Sequence, residues 1–113
     1  MNTTAVGRSA EAAVAAYFRS RGLEIIAQNW RTRWCEIDVI AKTNSCIIFC
    51  EVKYRHRVVQ GDGLEAITAA KLRQLHRAAE MWVGLHDWQG CYRLMAASVT
   101  GDNRLEHLVF IDS

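Results

Sequence analysis

CEIDVIAKTNSCIIFCEVKYR, residues 35 to 55, contains two apolar runs separated by the polar triplet Thr43-Asn44-Ser45. Each run reads as a strand, and so short a break makes them neighbours in a meander. Side chains alternate across a strand at about 3.3 Å per residue, so Glu51 and Lys53 share a face about 7 Å apart. Ile47 and Phe49 lie on that same face and belong to the core. On the preceding strand Glu36 and Asp38 share one face, while Ile37, Val39 and Ala41 take the other. Charged residues at the end of a buried strand call for a reason, and the surrounding elements supply a frame for one.

Upstream, Ala10, Ala13, Val14, Tyr17 and Phe18 recur at helical spacing and Gly22 closes the pattern, which predicts a helix over roughly residues 7 to 21. Glu11 falls on the margin of its buried stripe, where it either faces a sheet edge or simply favours the first helical turn. Leu23 to Trp30, Cys35 to Lys42 and Cys46 to Arg55 are three successive strands. Thr68 is an N-cap for a second helix reaching Leu85, whose apolar face is Leu72, Leu75, Ala79, Trp82 and Val83. Strands near Cys91 to Val99 and Leu105 to Ile111 follow, joined by the Gly101-Asp102-Asn103 turn. The order is αβββαββ in an α/β chain, with Val58 to Gly63 expected to be a mobile loop beside the third strand.

A chain of 113 residues fits one domain spanning residues 1–113, able to bury roughly 60 to 70 % of its unfolded surface. Half of the residues are hydrophobic, as in an ordinary globular protein. No apolar stretch approaches the roughly 20 residues of a membrane span, and the N-terminus shows no signal-peptide pattern. A cytoplasmic protein with no membrane partner is expected. Cys35, Cys46, Cys50 and Cys91 form no metal-ligand spacing and read as buried free thiols, ahead of zinc or a disulfide. His56, His76, His86 and His107 have no ligand spacing either. The net charge is only +2, but Arg31, Arg33, Lys53, Arg55 and Arg57 bracket the acidic positions. They read as a solvated surface or as a phosphate-contacting rim.

Asp38 and Glu51, on paired strands, repel one another unless a positive charge sits between them. A hard divalent cation with oxygen ligands suits such a pair. Magnesium keeps several waters and needs only one or two protein carboxylates beside substrate phosphate. Bound there, it would polarise a phosphodiester and acidify a water that Lys53 orients. The structural alternative is a surface Glu51-Lys53 pair worth at most about 1 kcal/mol. A bare ExK is weak evidence, whereas D-x(12)-ExK on a hairpin behind a glutamate-bearing helix is much more specific.

The segments GRSAE at 7 to 11, NWR at 29 to 31, EIDVIA at 36 to 41, EVKYR at 51 to 55, G..LEAIT..K at 61 to 71 and the tail from Tyr92 to Ile111 cover nearly the whole chain. On them, the sequence resembles the small bacterial YraN-like family. That family has the PD-(D/E)xK restriction-endonuclease-like fold, an αβββαβ core with a mixed central sheet flanked by helices, close to Holliday-junction resolvases. The resemblance implies a catalytic core of Asp38, Glu51 and Lys53, with Asp38 and Glu51 as metal ligands and Glu11 as an added helix-borne acid. Glu36 matches a family position as well. The resemblance also suggests that Lys71 and Gln74 correspond to a helix-borne polar position. Three positions depart from the family pattern: Cys35 and Ala10 stand where glycine is usual, and Arg93-Leu94-Met95 where Arg-Phe-Asp is typical.

The expectation is a nuclease dependent on Mg2+ (or Mn2+) that cleaves DNA, branched or processed forms included, with RNA left open. The alternative is a non-catalytic nucleic-acid-binding module retaining the fold. Nucleic-acid contacts are expected from Arg31, Arg33, Arg55, Arg57, Lys71 and Gln74. Trp30 and Trp34 read as core or edge-strand aromatics, with base stacking as the alternative. An interaction domain using its C-terminal strands is a third reading, and a homodimer fits the resolvase resemblance.

Overall fold

The computed structural model describes residues 3–54 and 68–111. Its elements are α1 (Thr3–Ser20), β1 (Glu24–Arg31), β2 (Glu36–Thr43), β3 (Cys46–Tyr54), α2 (Ala69–Leu85), β4 (Cys91–Val99) and β5 (Leu105–Phe110). This is the αβββαββ order that periodicity predicts. The segment Val58 to Gly63 lies outside the described residues, so the expected loop is not addressed by the structure. Among the described residues no helix is long and apolar enough to cross a membrane.

The five strands form one mixed sheet in the order β1-β2-β3-β4-β5. β1, β2 and β3 form an antiparallel meander, β3 and β4 run parallel, and β5 returns antiparallel. A parallel neighbour requires a crossover rather than a hairpin, and α2 lies within that connection. The arrangement is the mixed α/β architecture of a restriction-endonuclease-like core.

Each helix ends or begins where its sequence says it should. Leu23 N–H donates to Phe18 C=O and Gly22 N–H to Arg19 C=O, both at 3.0 Å, closing α1 in a Schellman motif. Gly22 holds φ +86°, a conformation that costs glycine nothing. Leu23 packs against the cluster containing Phe18, the apolar contact usual for this motif. At the other end α1 starts at Thr3, earlier than the expected residue 7. Gly7 is an interior residue there, since a glycine costs only about 1 kcal/mol within a helix. Thr68 caps α2, its hydroxyl accepting from Lys71 N–H at 3.1 Å.

The helices cover opposite faces of the sheet. Ala10, Val14 and Phe18 of α1 bury against Val39, Ala41, Ile48, Cys50, Met95, Ala97 and Val99. Leu75, Ala78, Ala79 and Trp82 of α2 bury against Ile37, Ile40, Ile47, Phe49 and Leu94. Phe49 meets Trp82 and Tyr92 edge-on, with ring centroids 5.5 and 5.7 Å apart. Along β3 the alternation is regular: Ile47 and Phe49 are core as expected, and the face they share is the one under α2.

β2 departs from the expected alternation. Ile37 packs under α2 whereas Val39 and Ala41 pack under α1, so the three do not share a face. The change of face falls between the register pairs Gln28↔Val39 and Trp30↔Ile37, whereas the β1–β2 register itself shifts between Ile25 and Ala27. Asn29 has φ +55°, which asparagine tolerates better than most residues.

The cysteine expectation is corrected in part. Cys50 is buried and free, and Cys35 is half-buried and free. Cys46 and Cys91 instead form a disulfide. They are register partners at the first residues of parallel β3 and β4, with Cα atoms 4.5 Å apart, within disulfide reach. A sequence separation of 45 residues conceals that proximity.

Candidate functional site

β2 and β3 are paired from Thr43↔Cys46 to Val39↔Cys50, and the register stops there. Beyond it the backbone ladder is replaced by a side chain: Val52 N–H, two residues past Cys50, donates to Oδ2 of Asp38, the residue next to Val39, at 2.8 Å. The strands therefore part at Asp38 and Glu51, while β3 stays paired to β4 as far as Tyr54↔Val99. A cleft of about 1370 Å³ opens at this end of the sheet. Its walls combine Gly7, Ala10 and Glu11 of α1, the β1–β2 turn, the ends of β2 and β3, and Lys71, Gln74, Arg77 and Met81 of α2.

Three carboxyls meet in this cleft from three directions. Glu11 is 9 % exposed, and its carboxyl donates to Asp38 across the α1–β2 boundary. Burial first, and the Asp38 charge second, raise Glu11 from 4.5 to about 7. The same two causes raise Glu51 to about 7, against the opposing pull of Lys71 and, more weakly, Lys53. Asp38 is also raised by burial, and the Val52 N–H is the largest influence opposing the shift. Burial and mutual repulsion thus act together to hold these carboxyls above their ordinary range, with Lys71 and Lys53 offsetting only part of the effect at Glu51.

The cation closest to balancing Glu51 comes from α2. Lys71 Nζ lies 3.7 Å from Glu51 Oε2, and the Thr68 cap fixes the first turn that carries it. Lys53, two residues along β3, lines the same cleft. The expected alternative of a simple Glu51-Lys53 surface pair is thereby replaced by an ion pair between β3 and α2.

A family model described as "Uncharacterised protein family UPF0102" matches residues 10–107. The chain belongs to the UPF0102 family. Relatives called "UPF0102 protein" include one from Arthrobacter sp. (strain FB24), 36% identical over 108 residues that cover 91% of this chain and 92% of the relative. One from Cytophaga hutchinsonii is 35% identical over 103 residues, 91% of each chain. One from Oleidesulfovibrio alaskensis is 41% identical over 101 residues, 88% of this chain but 50% of that longer protein. This is the YraN-like family that the motifs indicated, and its restriction-endonuclease-like fold agrees with the sheet described above.

Within this UPF0102 chain, Glu11, Asp38, Glu51, Lys53, Lys71, Gln74, Arg31 and Arg33 all line the one cleft. Arg55 and Arg57 lie outside the described residues. Arg31 reaches Glu36 at 3.9 Å with both side chains about three-fifths exposed, an ion pair worth little by itself. Met95, where the family typically has aspartate, is buried in the apolar cluster beneath α1 and does not line the cleft. That departure leaves the acidic site intact. Arg77 and Met81 are cleft residues that sequence reasoning did not single out. Their signal was present: Lys71, Gln74, Arg77 and Met81 recur every three or four residues beside the apolar stripe of α2.

Proposed function

We propose that the chain is a divalent-metal-dependent nuclease that hydrolyses phosphodiester bonds in DNA, with branched or processed structures as candidate substrates. The observation that carries this reading is the convergence of Asp38, Glu51 and Lys53 where β2 and β3 part, inside a cleft rimmed by Arg31, Arg33, Lys71 and Arg77. Among the described residues no three His, Cys, Asp or Glu side chains form a ready metal cage. The donor set instead suits Mg2+ or Mn2+, which need few protein ligands. The raised carboxyls are compatible with this, since a bound cation would offset both the burial and the mutual repulsion that raise them.

Asp38 and Glu51 would hold the metal. When bound, it supplies Lewis-acid activation of the phosphate and a more acidic water. Lys53 orients that water and steadies the charge developing on the phosphate. Lys71 holds the Glu51 carboxylate in place, and Glu11 shares its proton with Asp38. Arg31, Arg33 and Gln74 provide phosphate contacts at the rim.

The test is cleavage of linear duplex, single-stranded and four-way-junction DNA in Mg2+ or Mn2+, beside an identically purified Glu51→Ala protein. Cleavage lost in the variant is the expected result. Equal cleavage by both proteins, or none by either, overturns the proposal. A second reading, a nucleic-acid-binding module without catalysis, is favoured by one observation: the ion pair of Lys71 with Glu51 already supplies part of the counter-charge. That reading requires binding that ignores magnesium and survives loss of Glu51.

A further inference from the structure

Trp34 is 75 % exposed, and folding does not account for it. Trp82 belongs to the cluster beneath α2, and Trp30 and Trp88 pack against it, but Trp34 joins neither apolar cluster. Its backbone is nevertheless tightly held. Thr32 N–H donates to Cys35 C=O at 2.8 Å, and Trp34 N–H donates to Thr32 Oγ1 at 3.1 Å. Thr32 Oγ1 and Cys35 Sγ also reach Met81 Sδ on α2, at 3.6 and 3.7 Å. The β1–β2 turn is therefore pinned to a helix while it presents a bare indole to solvent.

Two further features give that indole a direction. The Arg33 guanidinium carbon lies 5.2 Å from the Trp34 ring centroid, a cation–π contact that places positive charge beside the aromatic surface. Trp34 also lines the same cleft as Asp38, Glu51 and Lys53. It lies four positions before Asp38, so their Cα atoms are at most about 14 Å apart. That is the reach of about four nucleotides along one strand of a duplex.

We propose that Trp34, backed by Arg33, is a stacking platform for an unpaired base at the mouth of the cleft. The preferred substrate is then DNA with a single-stranded segment, such as a tailed end, flap or branch, rather than continuous duplex. In continuous duplex the bases are paired and stacked on one another, and their faces are not available to an indole. A single-stranded tail presents those faces, and base stacking on an aromatic side chain tolerates any sequence. This inference rests on the nuclease reading for what happens after binding, but the platform itself is tested by binding alone.

Fluorescence anisotropy in EDTA, where cleavage is suppressed, compares a blunt duplex with the same duplex bearing a short oligothymidine tail. The proteins are the full chain, Trp34→Ala and Trp34→Phe. Trp34→Ala is expected to weaken tailed DNA about 5- to 150-fold, the contribution of one stacked base. It should change blunt duplex less than twofold, and Trp34→Phe should restore most of the loss. Equal effects on both DNAs, no effect on either, or no binding by the parent protein would each overturn the platform. So would a variant that binds DNA normally but changes oligomeric state in sedimentation, which would make Trp34 a protein contact. Metal-dependent cleavage assayed separately keeps the two proposals apart. A tail-specific loss without cleavage retains the platform and removes the nuclease, and cleavage indifferent to Trp34 does the reverse.

Discussion

Asp38 takes the place of a strand: its Oδ2 accepts the Val52 N–H at 2.8 Å, just beyond the last β2–β3 register pair. The same carboxylate that opens the cleft closes the backbone bonding behind it. Removing it should cost stability as well as chemistry.

Asp38→Ala leaves the Val52 N–H without its acceptor and should destabilise the chain by about 1–3 kcal/mol. Asp38→Asn keeps an acceptor oxygen and removes a buried charge. It should be at least as stable as the parent at pH 8 without metal. Urea denaturation distinguishes them, and an alanine variant no less stable than the asparagine variant would deny Asp38 this bracing role.

Stability without metal should rise as the solution becomes more acidic. Glu11 and Glu51 are raised from 4.5 to about 7 in the folded chain. The folded state thus binds protons more tightly than the unfolded state between these values. Stability then falls as pH increases through that window. Thermal melts in EDTA should show a higher midpoint near pH 5 than near pH 8, and Glu51→Gln should flatten the slope. A midpoint that climbs towards pH 8 would contradict the crowding of these carboxyls.

Divalent cation should reverse the trend. Mg2+ or Mn2+ at one hundred times its dissociation constant stabilises a folded state by about 2.7 kcal/mol. The gain should be larger at pH 8 than at pH 6, because protons compete for Glu51, and should shrink in Glu51→Gln. Identical melts with and without cation at pH 8 would remove the metal from the proposed mechanism.

Lys53 and Lys71 should separate in their effects. Lys53→Met is expected to lower kcat by about 10²- to 10³-fold, typical for loss of a group that stabilises transition-state charge, with little change in melting temperature. Lys71→Met removes the ion partner of Glu51. It should raise the pH at which activity appears, because Glu51 then loses its proton later. A pH–rate profile unmoved in Lys71→Met would deny it that role.

Denatured protein prepared without reductant should show two titratable thiols, from Cys35 and Cys50, and four after reduction. The Cys46–Cys91 link closes a separation of 45 residues, for which loop-closure entropy suggests about 4 kcal/mol. Four thiols before reduction would show that the two cysteines are adjacent but unbonded.

Much of this was readable from local pattern. The period of two placed Glu51 and Lys53 beside Ile47 and Phe49, and Gly22 and Thr68 marked helix ends because their conformational and capping demands are local. The rest depended on contacts made across the sheet. The switch of face between Ile37 and Val39 falls opposite Asn29 of the neighbouring strand, and neither strand's own pattern announces it. The Cys46–Cys91 link depends on the parallel register of β3 with β4. The pairing of Lys71 with Glu51 depends on how α2 is rotated against β3, which the sequence of neither element encodes by itself.

Glu11 comes from the helix on one face of the sheet, Lys71 from the helix on the other, and Asp38 from the fork between strands. No pair of adjacent elements contains the whole arrangement. Only when both helices have docked on the sheet is the whole cleft assembled, so the completeness of the site reports on the completeness of the fold.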